Sequence, residues 1–257
     1  MASSPSSGSE PIQVARDLTL SDLRAALAAG WRDFRGAPRY GLFFGAIFAL
    51  SGLALAYVLL ARGEVSWLIP ATAGFPLLAP FAAVGLYEVS RRRERTVPLD
   101  WGGILGAVKG RGDEQILSMG VIIFVAFGFW VIIAHLVFSI FLVEAGAGSE
   151  SLEFLTTPTG ITMLIVGSAI GGVIALAFYS ITVVSLPMLV DREVDFLTAI
   201  FASLAAVRGN LVVMLVWAAL IALLLIIALL PGFLGLLVVL PVLGHATWHL
   251  YRRVVTD

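Results

Sequence analysis

Two histidines four residues apart are the side chains in this sequence best suited to chemistry. His245 and His249 lie near the end of an apolar stretch, and their spacing places them on one side of a helix, about 6 Å apart. Two imidazoles at that spacing can hold a metal or haem iron when a carboxylate completes the site. Glu88 and Asp191 end two other apolar stretches. A polar cluster of these four side chains is therefore one hypothesis.

A simpler explanation of the same four residues is favoured. Charged groups at helix ends commonly pair with nearby arginines, here Arg252 or Arg192, or with lipid headgroups. The remaining histidine, His135, lies in a different apolar stretch, and we expect it to donate to a backbone carbonyl of a neighbouring helix. The three histidines cannot share one ion, so the sequence assigns no catalytic residue, no metal site and no cofactor.

Long apolar runs must position these groups. The runs are roughly 40–61, 65–87, 116–143, 161–190, 211–230 and 232–250. A bilayer core about 30 Å thick requires about 20 apolar residues of helix, and backbone groups in lipid are satisfied only within regular structure. Hydrophobic residues make up 60% of the chain and charged residues 13%, against about 25% charged in soluble domains. We predict an all-α, polytopic membrane protein with six transmembrane helices.

The basic residues indicate how the chain is threaded. If the runs cross in turn, all of the 16 lysines and arginines except Arg62 lie on one side, which the positive-inside rule assigns to the cytoplasm. We therefore expect a multi-pass protein of the cell inner membrane with both termini cytoplasmic. Residues 1–16 are rich in Ser, Gly and Pro and lack the features of a signal peptide. They are predicted to be a disordered tail, followed by one membrane domain over 17–257.

The chain resembles three copies of one unit, at about 18–90, 97–190 and 194–253. Each unit begins with a short stretch in which apolar residues recur every three or four positions, as on one side of a helix. These residues are Leu20, Leu23, Leu27, Trp31 and Phe34; then Leu99, Trp101, Ile104, Leu105 and Val108; then Phe196, Leu197, Ile200, Phe201, Leu204 and Val207. We predict three short amphipathic helices at the cytoplasmic headgroups. The alternative is that they pack beneath the bundle.

The first and third units also end alike, with an aromatic residue followed by two arginines. The matching residues are Tyr87, Arg91 and Arg92, and Trp248, Arg252 and Arg253. Such ends are typical of interfacial anchors, in which the ring lies among headgroups and guanidinium meets phosphate. We therefore expect anionic lipid headgroups as partners, together with a membrane-protein complex or homo-oligomer, and no nucleic acid. Glycines at 167, 171 and 172 predict close helix contacts in the fourth run.

Three segments carry a resemblance to a known family. They are the residues RYGLFFG at 39–45, SLPMLVDREVD at 185–195 and GHATWHLYR at 244–252. Over about residues 20–253 the chain resembles the bacterial integral membrane proteins grouped as domain of unknown function 2189. The resemblance implies a six-span inner-membrane protein with no established activity. Some members are labelled cytochrome c oxidase subunit I, but this chain lacks the membrane histidines that haem and copper require.

Two hypotheses about function follow. The absence of catalytic motifs and the small soluble segments favour a non-enzymatic accessory, assembly or membrane-organising protein. The alternative is a small-molecule transporter or channel whose cytoplasmic mouth is formed by Glu88, His245 and His249. The predicted units run in the same direction and are not inverted, which counts against alternating access.

Overall fold

The computed structural model describes residues 12–63, 67–68, 71, 78–109, 115–144 and 152–256. The helices are α1 (Leu20–Gly36), α2 (Pro38–Ala61), α3 (Ala79–Ala82), α4 (Val84–Glu94), α5 (Trp101–Gly106), α6 (Gln115–Glu144), α7 (Pro158–Thr182), α8 (Ser185–Asp191), α9 (Phe196–Gly209), α10 (Leu211–Leu229) and α11 (Leu236–Val254). Short 3-10 helices cover Ala107–Lys109 and Leu152–Thr156. The described part of the chain contains no strand longer than an isolated bridge. The all-α prediction is confirmed.

Four helical segments are long and apolar enough to cross a bilayer. They are α2, α6, the continuous pair α7 and α8, and α10. Between 17% and 28% of the apolar window of each is buried inside the protein, so most of its surface is left for lipid. Of the other two predicted runs, 65–87 has ten of its 23 residues outside the described residues. The other run contains α11, which has 19 residues. The polar residues in its second half lower its mean hydropathy, and it is not among the four segments.

The three predicted amphipathic helices, α1, α5 and α9, each begin at a capping residue. The carboxylates of Asp100 and Asp195 accept the backbone N–H three residues further on, at 2.7 and 2.9 Å. Thr19 and Asp22 form a capping box at the start of α1. These side chains satisfy N–H groups that the first helical turn leaves free, which explains where the helices begin. We term α1, α5 and α9 the leading helices.

We term the end of the molecule that holds the ion pairs of Asp33, Glu88 and Asp191 the polar end. Three segments form its buried centre. They are α4, α8 and residues 241–254 of α11, and we term them the closing segments because each ends one predicted unit. All residues of α8 and residues 84–90 of α4 are buried. α4 and α11 run side by side in the same direction, with Leu86 against Gly244 and Glu94 bonded to Trp248. The core of the protein therefore lies where the predicted units end.

Each leading helix packs on a closing segment. α5 packs on α4, α9 packs on α8, and α1 packs along α11. At Gly30 an added Cβ would lie 2.6 Å from the backbone nitrogen of Ala246, so only glycine allows the observed approach of α1 to α11. At Gly45 of α2 an added Cβ would lie 2.8 Å from the Cα of Leu237. The three leading helices thus pack on three different closing segments, and the closing segments contact one another.

The outer sides of the leading helices retain large apolar residues. In α9 the buried side is formed by small residues such as Ala199 and Ala206, while Phe201 is 68% exposed. Trp31 on α1 and Leu105 on α5 are 45% and 48% exposed. Each leading helix thus has one side packed on the bundle, as the alternative prediction held, and a second apolar side of the kind that interfacial helices turn towards lipid.

The close contact predicted for the glycines of α7 is formed at one of the three positions. A Cβ added at Gly171 would meet the ring of Trp130 on α6, whereas one at Gly167 would make ordinary contact with Val137, 3.8 Å away. At Gly172 an added Cβ meets nothing within 4 Å. Glycines that bring helix backbones close together are found instead on α1 and α2, where Gly30 and Gly45 contact α11.

The two ends of the chain meet at the polar end. Val14 and Val255 form an isolated β-bridge, and the N–H of Ala15 donates to the Val254 carbonyl at 2.8 Å. The buried side chain of Asn210, just before α10, donates to the carbonyl of Ala15 at 2.7 Å and accepts the N–H of residue 18 at 3.1 Å. Residues 12–16 of the predicted tail are therefore held on the bundle by these bonds. Residues 1–11 lie outside the described residues.

Candidate functional site

Asp33 on α1, which the sequence analysis did not single out, is the centre of a buried polar cluster. The residue is 8% exposed. Its Oδ2 accepts hydrogen bonds from Ser90 Oγ at 2.7 Å and from His249 Nε2 at 2.8 Å. Its Oδ1 accepts a hydrogen bond from Arg93 Nε at 2.9 Å. One carboxylate thus joins α1 to α4 and α11. We refer to Asp33, Ser90, Arg93, His245 and His249 as the Asp33 cluster.

The positions of the protons in the cluster follow from its donors and acceptors. Ser90 Oγ has one proton and donates it to Asp33. His245 Nδ1 lies 2.8 Å from the same oxygen, so Nδ1 must carry a proton and donate it. His245 Nε2 is then an acceptor, and it is buried with no partner in the described part of the chain. His245 itself is 0% exposed, so solvent does not reach its ring.

The Asp33 carboxyl of the cluster is negatively charged at neutral pH. Burial raises the pKa of the Asp33 carboxyl, but the hydrogen bonds from His249, Ser90 and Arg93 outweigh burial and lower the pKa to about 2. In a serine nucleophile triad the histidine lies between serine and aspartate. Here Ser90 lies between His245 and Asp33, so its proton is donated to the Asp33 carboxylate and not to the imidazole of His245. The arrangement binds helices together and does not activate a nucleophile.

Glu88, one of the predicted site residues, lies in a separate ion pair on α4. Its two carboxylate oxygens accept hydrogen bonds from Arg91 at 2.7 and 2.8 Å and from Arg92 at 2.7 Å. Arg92 also pairs with Asp100, the capping residue of α5. Glu88 therefore orients the arginine that joins α4 to the next leading helix.

Asp191, another predicted site residue, joins the three closing segments at the end of α8. The residue is 6% exposed. Its carboxylate accepts hydrogen bonds from Arg95 at 2.7 Å, from the Tyr251 hydroxyl at 3.0 Å and from Arg252 at 3.3 Å. Arg252 also pairs with Glu94 at 3.1 Å. The pairing of Asp191 with Arg252 matches the simpler explanation given for this residue from the sequence.

The structure brings together two of the four residues of the predicted cluster. His245 and His249 both belong to the Asp33 cluster, whereas Glu88 and Asp191 have ion pairs of their own. Among the described residues, no group of three or more His, Cys, Asp and Glu is placed to hold a metal ion. Spacing along the chain placed the four residues at similar depth but could not show that Glu88 and Asp191 pair with arginines instead of with the histidines.

The predicted interfacial anchors lie inside the protein. Tyr87 and Trp248 are 3% and 1% exposed, and the indole N–H of Trp248 donates to Glu94 at 3.0 Å. These rings are buried because α4 and α11 are surrounded by other helices. In both closing segments the aromatic residue that precedes two arginines is therefore part of the core. The structure does not place it at the surface, where lipid headgroups would lie.

Arg92 and Arg253, which match in the ends of the first and third units, form equivalent ion pairs. Arg92 pairs with Asp100 at the start of α5, and Arg253 pairs with Asp22 in the first turn of α1 at 3.1 Å. Each arginine thus connects a closing segment to the capping region of a leading helix. The same kind of connection is thus made twice among the described residues.

His135 lies apart from these groups. Its ring stacks on Trp67, with ring centroids 3.7 Å apart and an interplanar angle of 6°. Its Nδ1 is buried and has no hydrogen-bond partner in the described part of the chain, so the expected bond to a carbonyl is not seen there. Nearby, an apolar cleft of about 120 Å³ lies between α6 and α7 and is lined by Trp130, Phe138 and Met163.

Residues 68–191 match the family model described as "Predicted integral membrane protein (DUF2189)". This is the family that the sequence resembles, and the match confirms the resemblance. Together with the apolar helices it identifies a multi-pass membrane protein. No curated protein and no solved structure matches the chain significantly.

Proposed function

From this match to a family of predicted integral membrane proteins, we propose that the protein is a non-enzymatic accessory, assembly or membrane-organising protein. The observation that carries the proposal is the pairing of charged groups at the polar end. Asp33, Glu88 and Asp191 each hold at least one arginine. Carboxylates engaged in this way bind helices to one another and are not available to a substrate.

The proposed topology has six crossings, with both termini in the cytoplasm of a bacterial cell. α2, α6, α7 with α8, α10, α11 and the 65–87 run supply the crossings. The β-bridge between Val14 and Val255 supports an even number of crossings, because it brings both ends of the chain to one side. The positive-inside rule assigns that side to the cytoplasm and so favours the inner membrane.

Packing supports an internal repeat of a leading helix followed by a helical hairpin. The leading helices all begin at a capping residue and all pack on a closing segment. The equivalent ion pairs of Arg92 and Arg253 add a match between side chains. Three similar units running in parallel would present three similar outer surfaces, which suits a protein that contacts other membrane components.

A transporter with its inner mouth at Glu88, His245 and His249 is less well supported. His245 is 0% exposed and Glu88 4% exposed, and Glu88 is held by two arginines. Opening a path to His245 would require the hydrogen bonds between Asp33 and its partners to break. The cleft between α6 and α7 is apolar and lies on other helices.

Comparison of membranes with and without the protein tests the proposed function. Inner-membrane complexes from a deletion strain and from the complemented strain are separated on native gels and quantified by mass spectrometry. We expect the deletion to lower the amount or the size of at least one complex, and wild-type protein to restore it. Unchanged complexes, together with purification of the protein without any partner, would contradict the proposal. Substrate uptake by proteoliposomes would favour the transporter instead.

A further inference from the structure

α1 turns its acidic residues into the protein and its unpaired basic residues outwards. Asp22 and Asp33 form ion pairs with basic side chains of α4 and α11. Arg24, Arg32 and Arg35 are exposed, and the described residues provide no ion pair for any of them. The outer side of α1 therefore carries three positive charges that no carboxylate of the described residues neutralises.

Large apolar side chains lie along the same outer side. Leu20 and Trp31 are 52% and 45% exposed. Leu20, Arg24, Trp31 and Arg35 follow one another at intervals of four, seven and four residues, which places them in one row along a helix. An apolar row bordered by arginines is typical of a helix at the bilayer surface, where the apolar groups enter the acyl region and the guanidinium groups stay at the depth of the phosphates.

We propose that Leu20, Arg24, Trp31, Arg32 and Arg35, the arginine face of α1, bind the phosphodiester groups of anionic phospholipids. The inference rests on the proposed membrane placement of α1. A guanidinium group forms two parallel hydrogen bonds to a phosphate. Three such groups that have no ion pair within the described part of the chain match a surface of repeated negative charges. Leu20 and Trp31 in the same row require an apolar medium, which a bilayer provides and a soluble anion does not.

This assignment differs from the one that the sequence pattern favours. The pattern places anionic headgroups at Arg91, Arg92, Arg252 and Arg253, but these side chains pair with carboxylates of the protein. An arginine already bound to a carboxylate gains little from a phosphate, because it would exchange one anion for another. The unpaired arginines of α1 have no such competitor among the described residues.

Quenching of Trp31 fluorescence by brominated lipids tests the proposal. The full-length protein is placed in phosphatidylcholine nanodiscs that contain equal fractions of either brominated phosphatidylglycerol or brominated phosphatidylcholine. The fluorescence of Trp31 is obtained by subtracting the fluorescence of Trp31→Phe from that of the wild type. We expect stronger quenching by the anionic lipid. In the triple variant Arg24→Gln, Arg32→Gln and Arg35→Gln we expect the preference to fall about tenfold or more, since each arginine near an anionic surface contributes about fivefold.

Arg62→Gln and Arg208→Gln are matched controls, because both side chains are exposed and lie outside the arginine face. Unchanged preference in both, with loss in the triple variant, supports the proposal. Equal quenching by the two lipids overturns it but leaves α1 at the bilayer. No quenching by either lipid overturns the membrane placement of α1 as well. Loss of the preference on adding millimolar inorganic phosphate also overturns it, since the face would then bind a soluble anion. If the triple variant fails to fold, the difference in quenching of the wild-type protein by the two brominated lipids still tests the proposal.

Discussion

Asp33→Asn removes the charge at the centre of the Asp33 cluster and preserves the shape of the side chain. An asparagine has one oxygen, so its amide nitrogen must face either Arg93 or the pair of Ser90 and His249, all of which are donors to Asp33. At least one donor of the cluster is then left without an acceptor. The variant therefore tests whether this carboxylate holds α1, α4 and α11 together.

The pKa of Asp33 gives the expected magnitude. A carboxyl whose pKa falls from 3.8 to about 2 on folding stabilises the folded state by roughly 2.4 kcal/mol at neutral pH. The side chains of Arg93 and His249 are 33% and 27% exposed, and water therefore screens part of this interaction. We expect Asp33→Asn to lower the free energy of unfolding by about 2 kcal/mol.

Equilibrium unfolding by SDS in mixed micelles, followed by circular dichroism, measures the effect. Because the pKa of Asp33 is lower in the folded state, its stabilisation is complete above about pH 4 and is lost as the pH falls towards about 2. The difference between wild type and Asp33→Asn should shrink over that interval. Asp195→Asn is the matched control, since asparagine also caps a helix and this site is exposed. Equal stability of wild type and Asp33→Asn at pH 7 would refute the reasoning.

Two further substitutions test how residues 15–30 are held on the rest of the protein. Asn210→Ala should lower the free energy of unfolding by about 2 kcal/mol, because the carbonyl of Ala15 and the N–H of Leu18 lose their partner. Limited proteolysis should then cleave within residues 12–18. Resistance to the protease equal to that of the wild type would count against this contact. Gly30→Ala should cost about 2 kcal/mol in SDS unfolding, since its Cβ would meet the backbone of α11 at 2.6 Å. Gly172→Ala, which faces open space, should be neutral or stabilising by up to about 1 kcal/mol; similar losses in both glycine variants would show that the α1 contact is not special.

The fold class and the starts of the leading helices could be predicted from the sequence because their causes are local. Long apolar runs require helices in a membrane, and Thr19, Asp100 and Asp195 cap the helices that follow them. The degree to which α11 is buried could not be predicted in this way. Its length and apolar first half resemble those of a lipid-facing span, and only the packing of α1 and α2 upon it shows that it is central.

The Asp33 cluster was missed for a related reason, although the sequence holds a signal for it. Asp22 and Asp33 are eleven residues apart, about three helical turns, so both lie on the side of α1 that buries Ala26 and Gly30. An acidic residue on the buried side of an amphipathic helix requires a partner within the protein. The sequence does not name that partner, because Arg93 lies 60 residues away and His249 216 residues away along the chain.

A double-mutant cycle between Asp33 and Arg93 tests most directly the central claim that charged groups at the polar end bind the helices to one another. The variants are Asp33→Asn, Arg93→Gln and the combination, each measured by SDS unfolding at pH 7. A pair at 2.9 Å that links α1 to α4 should give a coupling energy of about 1 kcal/mol or more. A coupling energy near zero, with additive losses, would contradict the account.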